Sequence, residues 1–423
     1  MTLPTLLVTI LLCAALILSK RRAVLPIFIV GMCFVPSDQA IVIAGLDFKT
    51  LRIFAFAGML RLVLRNELSV RANKQDFIFS TWNLYGFFAY VALWASSSAL
   101  FYQLGVLVDY AFIYVVFRNY LRSMRDVQLC FEWLVYCTIA LTPFVIYEHT
   151  QNINPFYIFG RDETSFREGR VRCSAAFSHA ILLGSFSASI LPLALALKSS
   201  ARSISRRIAM SLGIVCSIYL TIASASSGPI IALAAGLFLY LLFKQRKYLG
   251  LTTLSMVGLA VVLHLVMDKP VWHLISRIDI AGGSTGYHRY FLIDRTIANF
   301  SEWALIGVKG VAHWGVHAGD VTSMYIYQAV TGGLATFALF VWLMIRTVHT
   351  IWRCSLNFPT HGSRIFAWAA VCFAMTHAVS FMSVAYFGQI SMLIMFLFAF
   401  GAALKDKRFI AASFSGNDIN RDK

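Results

Sequence analysis

Charge is scarce in this chain: Asp, Glu, Lys and Arg together make up 13% of its 423 residues, against roughly a quarter in soluble domains. That shortage excludes an ordinary soluble fold. No cysteine belongs to a CxxC pair, and of Cys13, Cys33, Cys130, Cys137, Cys173, Cys216, Cys354 and Cys372 only Cys173 falls in an outer connector. This argues against a disulfide framework and a zinc site, leaving the cysteines as small apolar filler. No basic residue precedes the first apolar run, whereas Lys20-Arg21-Arg22 follow it. A cleaved signal peptide has the opposite order, so the run reads as a retained span. No internal repeat is visible, which weighs against a transporter built from repeated halves.

What is abundant is apolar sequence. Hydrophobic residues make up 59% of the chain, aromatics 14%, and the mean hydropathy is +0.73. Apolar runs of about 17–22 residues match the bilayer core. They predict an all-α polytopic membrane protein in a single transmembrane domain over 1–423. The expected spans are 2–19, 24–44, 48–64, 77–97, 100–117, 127–147, 177–197, 208–223, 229–243, 249–267, 323–345, 366–384 and 387–404. That makes about 13 helices, or 12 if the short segment carrying Arg52 only dips into the membrane. The formal net charge of +17 does not point to nucleic acid. Basic clusters fall in every second connector, which is the positive-inside pattern and not a binding stripe. The tail 409–423 reads as cytoplasmic and mobile.

Two polar stretches lie on the opposite face. The first, 148–175, holds Arg161, Arg167, Arg170 and Arg172; the second, 268–322, holds Lys269, Arg277, Arg289 and Arg295. Each also carries acids and is near neutral, so neither is a generic anionic-lipid patch. Neighbouring acids account for some arginines, Asp162 for Arg161 and Glu163 for Arg167. Arg172 and Arg289 have no adjacent acid and sit where the chain meets apolar sequence. Guanidinium groups in this setting suit a doubly charged group such as a diphosphate. Arg52, at the outer edge of its span, is either a snorkelling anchor or a site residue.

Within the second loop Tyr290, Ile293, Ile297, Phe300 and Ala304 recur at intervals of three and four. They predict an amphipathic helix that lies along the membrane surface at headgroup level or covers the bundle. His313, His317 and Asp320 cluster before the next span as candidate proton acceptors for a hydroxyl nucleophile. No further carboxylate sits at a metal-ligand offset, so no metal is expected. His273 and His288 read as surface histidines.

The order of these features resembles the O-antigen ligase and polymerase superfamily of bacterial envelope glycosyltransferases. The resemblance runs from about Gly45 to Leu404. It is carried by Gly45 to Arg52, by Glu148 followed by Asn154-Pro155-Phe156, and by Arg170-Val171-Arg172 leading to Phe177-Ser178-His179. Further on come Ser226-Ser227-Gly228-Pro229 and Arg289 followed by Gly307, with a second glycine displaced to Gly310. The family's His-Asn/Ser pair, nine residues before G-x-x-[GTY], is represented by Thr322-Ser323 and Gly333 to Thr336. The position of the family histidine is Thr322, so His313, His317 or Asp320 would have to take its part.

The resemblance implies a GT-C-like fold whose two periplasmic loops form the site. It implies inverting glycosyl transfer from an undecaprenyl-diphosphate-linked glycan to an acceptor glycan or lipid, with no cofactor, in the bacterial inner membrane. Arg172 and Arg289 would hold the diphosphate, with Arg52, Arg170, His179 and Tyr325 completing the binding set. Partners implied are membrane lipids and a chain-length regulator or flippase. A polymerase of exopolysaccharide, capsule or O-antigen is favoured. The alternatives are a ligase transferring glycan to lipid A core and a polysaccharide or lipid transporter.

Overall fold

The computed structural model describes residues 1–43, 46–161, 164–277, 285–316 and 318–414. Gly45, Asp162, Glu163, His317 and the last part of the tail lie outside them. A helix stands at each expected apolar stretch: α1 (Leu3–Leu18), α2 (Val24–Phe34), α3 (Thr50–Leu64), α4 (Lys74–Trp94), α5 (Ser97–Tyr120), α6 (Met124–Gln151), α7 (Ala180–Ser200), α8 (Ile204–Ala223), α9 (Ser227–Leu241) and α10 (Leu249–Val266). After the large polar stretch, which contains α11 (Thr285–Ala298) and α12 (Phe300–Trp303), come α13 (Met324–Asn357), α14 (His361–Ser380), α15 (Ser391–Ala403) and α16 (Lys407–Phe414). The chain is an all-α multi-pass membrane protein. Among the described residues six helical runs are long and apolar enough to cross a bilayer unaided, taking Ser227–Val266 as one. Others, such as α2 with 11 residues and α15 with 13, fall short of the ~20 residues that a full crossing takes.

The expected span 24–44 stops at Phe34, because Pro36 disfavours helix at the residue before it. Strands β1 (Ala40–Ile43) and β2 (Leu46–Lys49) then form an antiparallel hairpin with Ala40 opposite Lys49. The tail also departs from expectation at its start. Residues 409–414 continue α16, Phe409 is buried, and Ser413 Oγ accepts the Met124 N–H at 3.0 Å. Arg61, 1% exposed, donates to the carbonyls of Leu16 at 2.6 Å and Ser19 at 2.8 Å, closing the C-terminus of α1.

Helix α7 is the axis of the bundle, sheathed by α6, α8, α9 and α14. Its small residues Gly184, Ser185, Ser187, Ala188 and Ser189 let those neighbours approach, as in other membrane bundles. By contrast α10 buries no residue at all. It is tied to the rest at its two ends, and its leucines and valines face lipid.

Helix α13 is broken at Gly333, whose φ of 74° and ψ of −175° are outside the helical region. The break is filled by the polar stretch. Leu334 N–H donates to Ala304 O at 2.9 Å and Val308 N–H to Val330 O at 2.8 Å. Gly307 and Gly333 are the contact points. A Cβ on Gly333 would lie 2.7 Å from the Leu305 carbonyl carbon, and one on Gly307 would lie 3.0 Å from that of Val330. The crossing lies nine residues into α13, about 13 Å below its outer end at 1.5 Å per residue. Tyr85, midway along α4, also lies against the Leu305 carbonyl. This part of the stretch therefore packs against the middle of α13 and α4 and not at the end of α13.

The helix expected from Tyr290 to Ala304 forms as α11 and α12, but its inward face is a different one. Arg289, Leu292, Thr296 and Trp303 are buried, with Leu292 and Trp303 in a cluster with Ile326, Ala329 and Val330 of α13. Ile297 and Phe300 of the expected apolar stripe are about half exposed.

Candidate functional site

One end of the bundle brings Arg172 and Arg289 to one turn. Arg172 ends β4 (Arg170–Arg172), which pairs with β3 (Ser165–Arg167) so that Ser165 opposes Arg172. The hairpin turns through Glu168 and Gly169, both at positive φ, the conformation that two-residue hairpins use. Arg172 Nη2 donates to Ser226 Oγ at 3.0 Å, and Arg172 Nε is buried without a hydrogen-bond partner. Ser226 precedes α9, but its hydroxyl serves Arg172 and the Ser224 carbonyl and does not cap the helix. Arg289, 9% exposed on α11, reaches the same turn from the other side. A Cβ on Gly228 would lie 3.4 Å from its Nη2 and 2.7 Å from Ser383 Cβ. Glycine at 228 is what leaves room for the Ser383 side chain, with the guanidinium at van der Waals distance beyond. The positive end of α9 and two arginines thus converge, an arrangement that attracts phosphate.

The segment between Arg172 and α7 is held from four directions. Glu148, fully buried in the last turn of α6, accepts the N–H groups of Ser174 at 3.0 Å and Ala175 at 2.9 Å. Asn154 Nδ2 donates to the Ala175 carbonyl at 3.0 Å and to Ser174 Oγ at 3.2 Å. Gln389 Nε2 donates to the Ala176 carbonyl at 2.6 Å. Asp38 accepts from Ser178 Oγ and pairs with Arg161, which is the partner that Arg161 takes among the described residues. Ala175, at φ 47°, is strained and stays so because its surroundings over-determine it. The acidic residue and the Asn-Pro-Phe triplet therefore act as a clamp that sets the two ends of the segment, Arg172 and His179.

His179 is the N-cap of α7, its Nδ1 accepting the Ile181 N–H at 3.2 Å. Burial first, and Arg172 second, push its pKa down to about 4, with Arg161 adding to the fall and Asp320 opposing it. Burial, with Arg167 nearby, also lowers the pKa of Arg172. Asp320 lines an open hollow of about 370 Å³ with His288, Val316 and Gly319. His288 Nε2 donates to the Asp320 carbonyl at 3.2 Å. His288 is thus not an idle surface histidine; it fastens α11 to the strand of chain that carries Asp320.

Other candidates are engaged elsewhere. Arg52 forms a two-pronged ion pair with Asp109 of α5, Nε to Oδ1 at 2.9 Å and Nη2 to Oδ2 at 3.0 Å, and donates to the Asp47 carbonyl. Tyr325 donates to the Ala378 carbonyl at 3.0 Å and packs edge-on against Phe340 and Phe381. Arg170 stands exposed at the hairpin turn, opposite Arg167. His313 pairs with Glu302 at 2.7 Å. The Trp314 indole and His313 together hold the Glu302 carboxyl below its usual range. Among the described residues no three His, Cys, Asp or Glu are grouped to hold a metal ion.

Asp38, Ser383 and Gln389 escaped sequence reading, while Ser178 and Ser226 entered only as members of motifs and His288 only as a surface histidine. The sole trace of them was a polar residue at an outer helix end, which any membrane helix shows.

No family model matches the chain, and no curated protein matches it. A similar solved chain comes from a peptidoglycan synthase complex studied for its structural coordination of polymerization and crosslinking. The two share 14% identity over 78% of this chain and 95% of that one, with a TM-score of 0.40. A likeness this distant carries no argument about residues or chemistry.

Proposed function

We propose that this protein is a glycosyltransferase of the bacterial inner membrane. It would polymerise undecaprenyl-diphosphate-linked oligosaccharide repeat units into exopolysaccharide, capsule or O-antigen on the periplasmic side. The observation that carries the reading is the meeting of Arg172 and Arg289 at the uncapped start of α9. A diphosphate at that turn receives two guanidinium groups and the helix dipole, donors already in place for the charge that builds on a leaving group. An acceptor hydroxyl in the hollow beside Asp320 attacks the anomeric carbon, and its proton passes to the Asp320 carboxylate. The anomeric carbon–oxygen bond breaks as the diphosphate leaves with the electron pair. Diphosphate departure drives the reaction, so a weak base suffices.

The test is purified protein in nanodiscs with a lipid-diphosphate-linked repeat unit. Longer lipid-linked glycan is the expected product. Transfer to lipid A core instead makes the protein a ligase, and a donor that stays intact removes both readings.

A further inference from the structure

We propose that the connection between α14 and α15 is a positioning element, holding the Ser226–Gly228 turn and the start of α13 in fixed register, and that a hydrogen bond between His377 and Tyr386 gives it its shape; this rests on the glycosyl-transfer reading above. Irregular connections normally run over a surface, because their backbone groups need partners. This one does the opposite. Phe381, Ser383, Val384, Tyr386, Gln389 and Ile390 are all buried.

The connection touches each strand of chain that carries a site residue. The Phe381 carbonyl accepts the Met324 N–H at 2.9 Å and Ser323 Oγ at 3.0 Å, which fixes the start of α13 just past Asp320. Ser383 packs on the first turn of α9, where a Cβ on Gly228 would lie 2.7 Å from Ser383 Cβ. Gln389 Nε2 donates to the Ala176 carbonyl at 2.6 Å, on the segment between Arg172 and α7, and its Oε1 accepts from Ser37 Oγ at 2.5 Å. The arm that would hold the leaving group and the arm that would hold the base thus share a support.

The support is tied internally by His377 Nδ1 and Tyr386 Oη, 2.7 Å apart, with His377 fully buried and Tyr386 nearly so. Their bond links the last turn of α14 to the far end of the irregular run and closes the residues between into a loop. Among the described residues His377 Nε2 has no hydrogen-bond partner. An imidazole with one bare nitrogen inside a membrane bundle costs free energy that an apolar residue would not. Its bond to Tyr386 is the reason to keep it. Phe373 meets the imidazole edge-on with centroids 4.6 Å apart, and Phe381 meets the Tyr386 ring at 4.8 Å, so both rings are held in place. Neither residue is a catalytic group; each acts through the backbone that it shapes. A misplacement of about 1 Å away from the chemistry costs on the order of 100-fold in rate. Losing this bond shifts the two arms against each other and removes no donor from either, so the rate falls while the grip on the lipid donor stays.

The experiment uses the full chain in nanodiscs, with Tyr386→Phe, His377→Leu and the double variant. Tyr386→Phe takes away the hydroxyl and keeps the ring. Each single variant should lower kcat about 100-fold with KM for the lipid donor within a few-fold of wild type. The double should fall no further, because the same bond is lost in all three. Hydrogen exchange followed by mass spectrometry should show amides 323–327 and 174–178 opening faster together in Tyr386→Phe, with those of α5 unchanged. If His377→Leu does not fold, Tyr386→Phe decides by itself. Faster exchange with undiminished kcat makes the connection merely structural and overturns the proposal, as does a loss confined to KM or faster exchange in one arm alone. A wild type that leaves the lipid donor intact removes the glycosyltransferase reading, and the exchange comparison then decides whether both arms hang on this pair.

Discussion

Arg172 Nη2 donates to Ser226 Oγ at 3.0 Å, so a guanidinium from the β-hairpin occupies the hydroxyl that would otherwise cap α9. The first turn of α9 is left without a side-chain cap, and the arginine is held beside it by the same contact.

Replacing either arginine should stop transfer. Arg172→Ala and Arg289→Ala are each expected to lower turnover by at least about 100-fold, since each removes a preplaced donor to the leaving group. Membrane insertion should be unchanged. Product formation from a lipid-linked repeat unit is the readout, and near-normal turnover in either variant removes that residue from the diphosphate site.

The proton acceptor is expected to be Asp320 and not His313, which is taken up by Glu302. Asp320→Asn should cost about 10²–10⁴-fold in kcat, the usual worth of acid–base assistance, while His313→Ala stays within a few-fold of wild type. The reverse ranking would reassign the base.

Loosening the clamp should act at a distance. Glu148→Ala leaves the Ser174 and Ala175 N–H groups buried and unpaired, at about 1–3 kcal/mol each. Both thermal stability and kcat should fall. Glu148→Gln, which keeps one carbonyl acceptor, should fall between. Melting temperature in detergent and turnover, measured on the same preparations, check this.

Stability should depend on pH through His179. Its folded pKa, about 4, lies below the ordinary imidazole value of 6.5, so between those values the unfolded chain binds more protons than the folded one. Stability contributed by the neutral ring is therefore present above pH 6.5 and declines as pH falls towards 4. His179→Asn should flatten that part of a melting-temperature profile; an unchanged slope would assign it to other groups.

The glycines divide cleanly. Gly333→Ala and Gly307→Ala place a Cβ against backbone at positive φ and should each destabilise by about 1–3 kcal/mol or more. Gly310→Ala, with nothing within 4 Å, should be neutral. Expression level and melting temperature of the three variants decide it.

Much of this was legible in the chain itself, for reasons that differ from residue to residue. The helices were readable because lipid demands long apolar runs, and Arg172 and Arg289 because an arginine without a neighbouring acid has to be explained. The break in α13 was marked only by Gly333, and nothing local says that residues 304–308 fill it, since those bonds are between backbone groups. The amphipathic pattern of α11 was legible, but which of its residues pack on α13 was not, because Leu292 and Trp303 meet Ile326, Ala329 and Val330 only in the folded chain. Arg52 and Asp109, fifty-seven residues apart, pair through a crossing of helices that no window of sequence reveals.

The contact between Gly307 and Gly333 bears on how the protein is made. When α13 leaves the translocon, its peptide groups around residues 330–334 are unpaired in a medium that offers no water to satisfy them. Only the strip of chain already synthesised around residues 304–308 can do so, by slipping back into the bilayer alongside. Biogenesis should thus couple the insertion of this helix to the prior emergence of its upstream segment, and a nascent chain lacking that strip should present α13 as a substrate for membrane quality control.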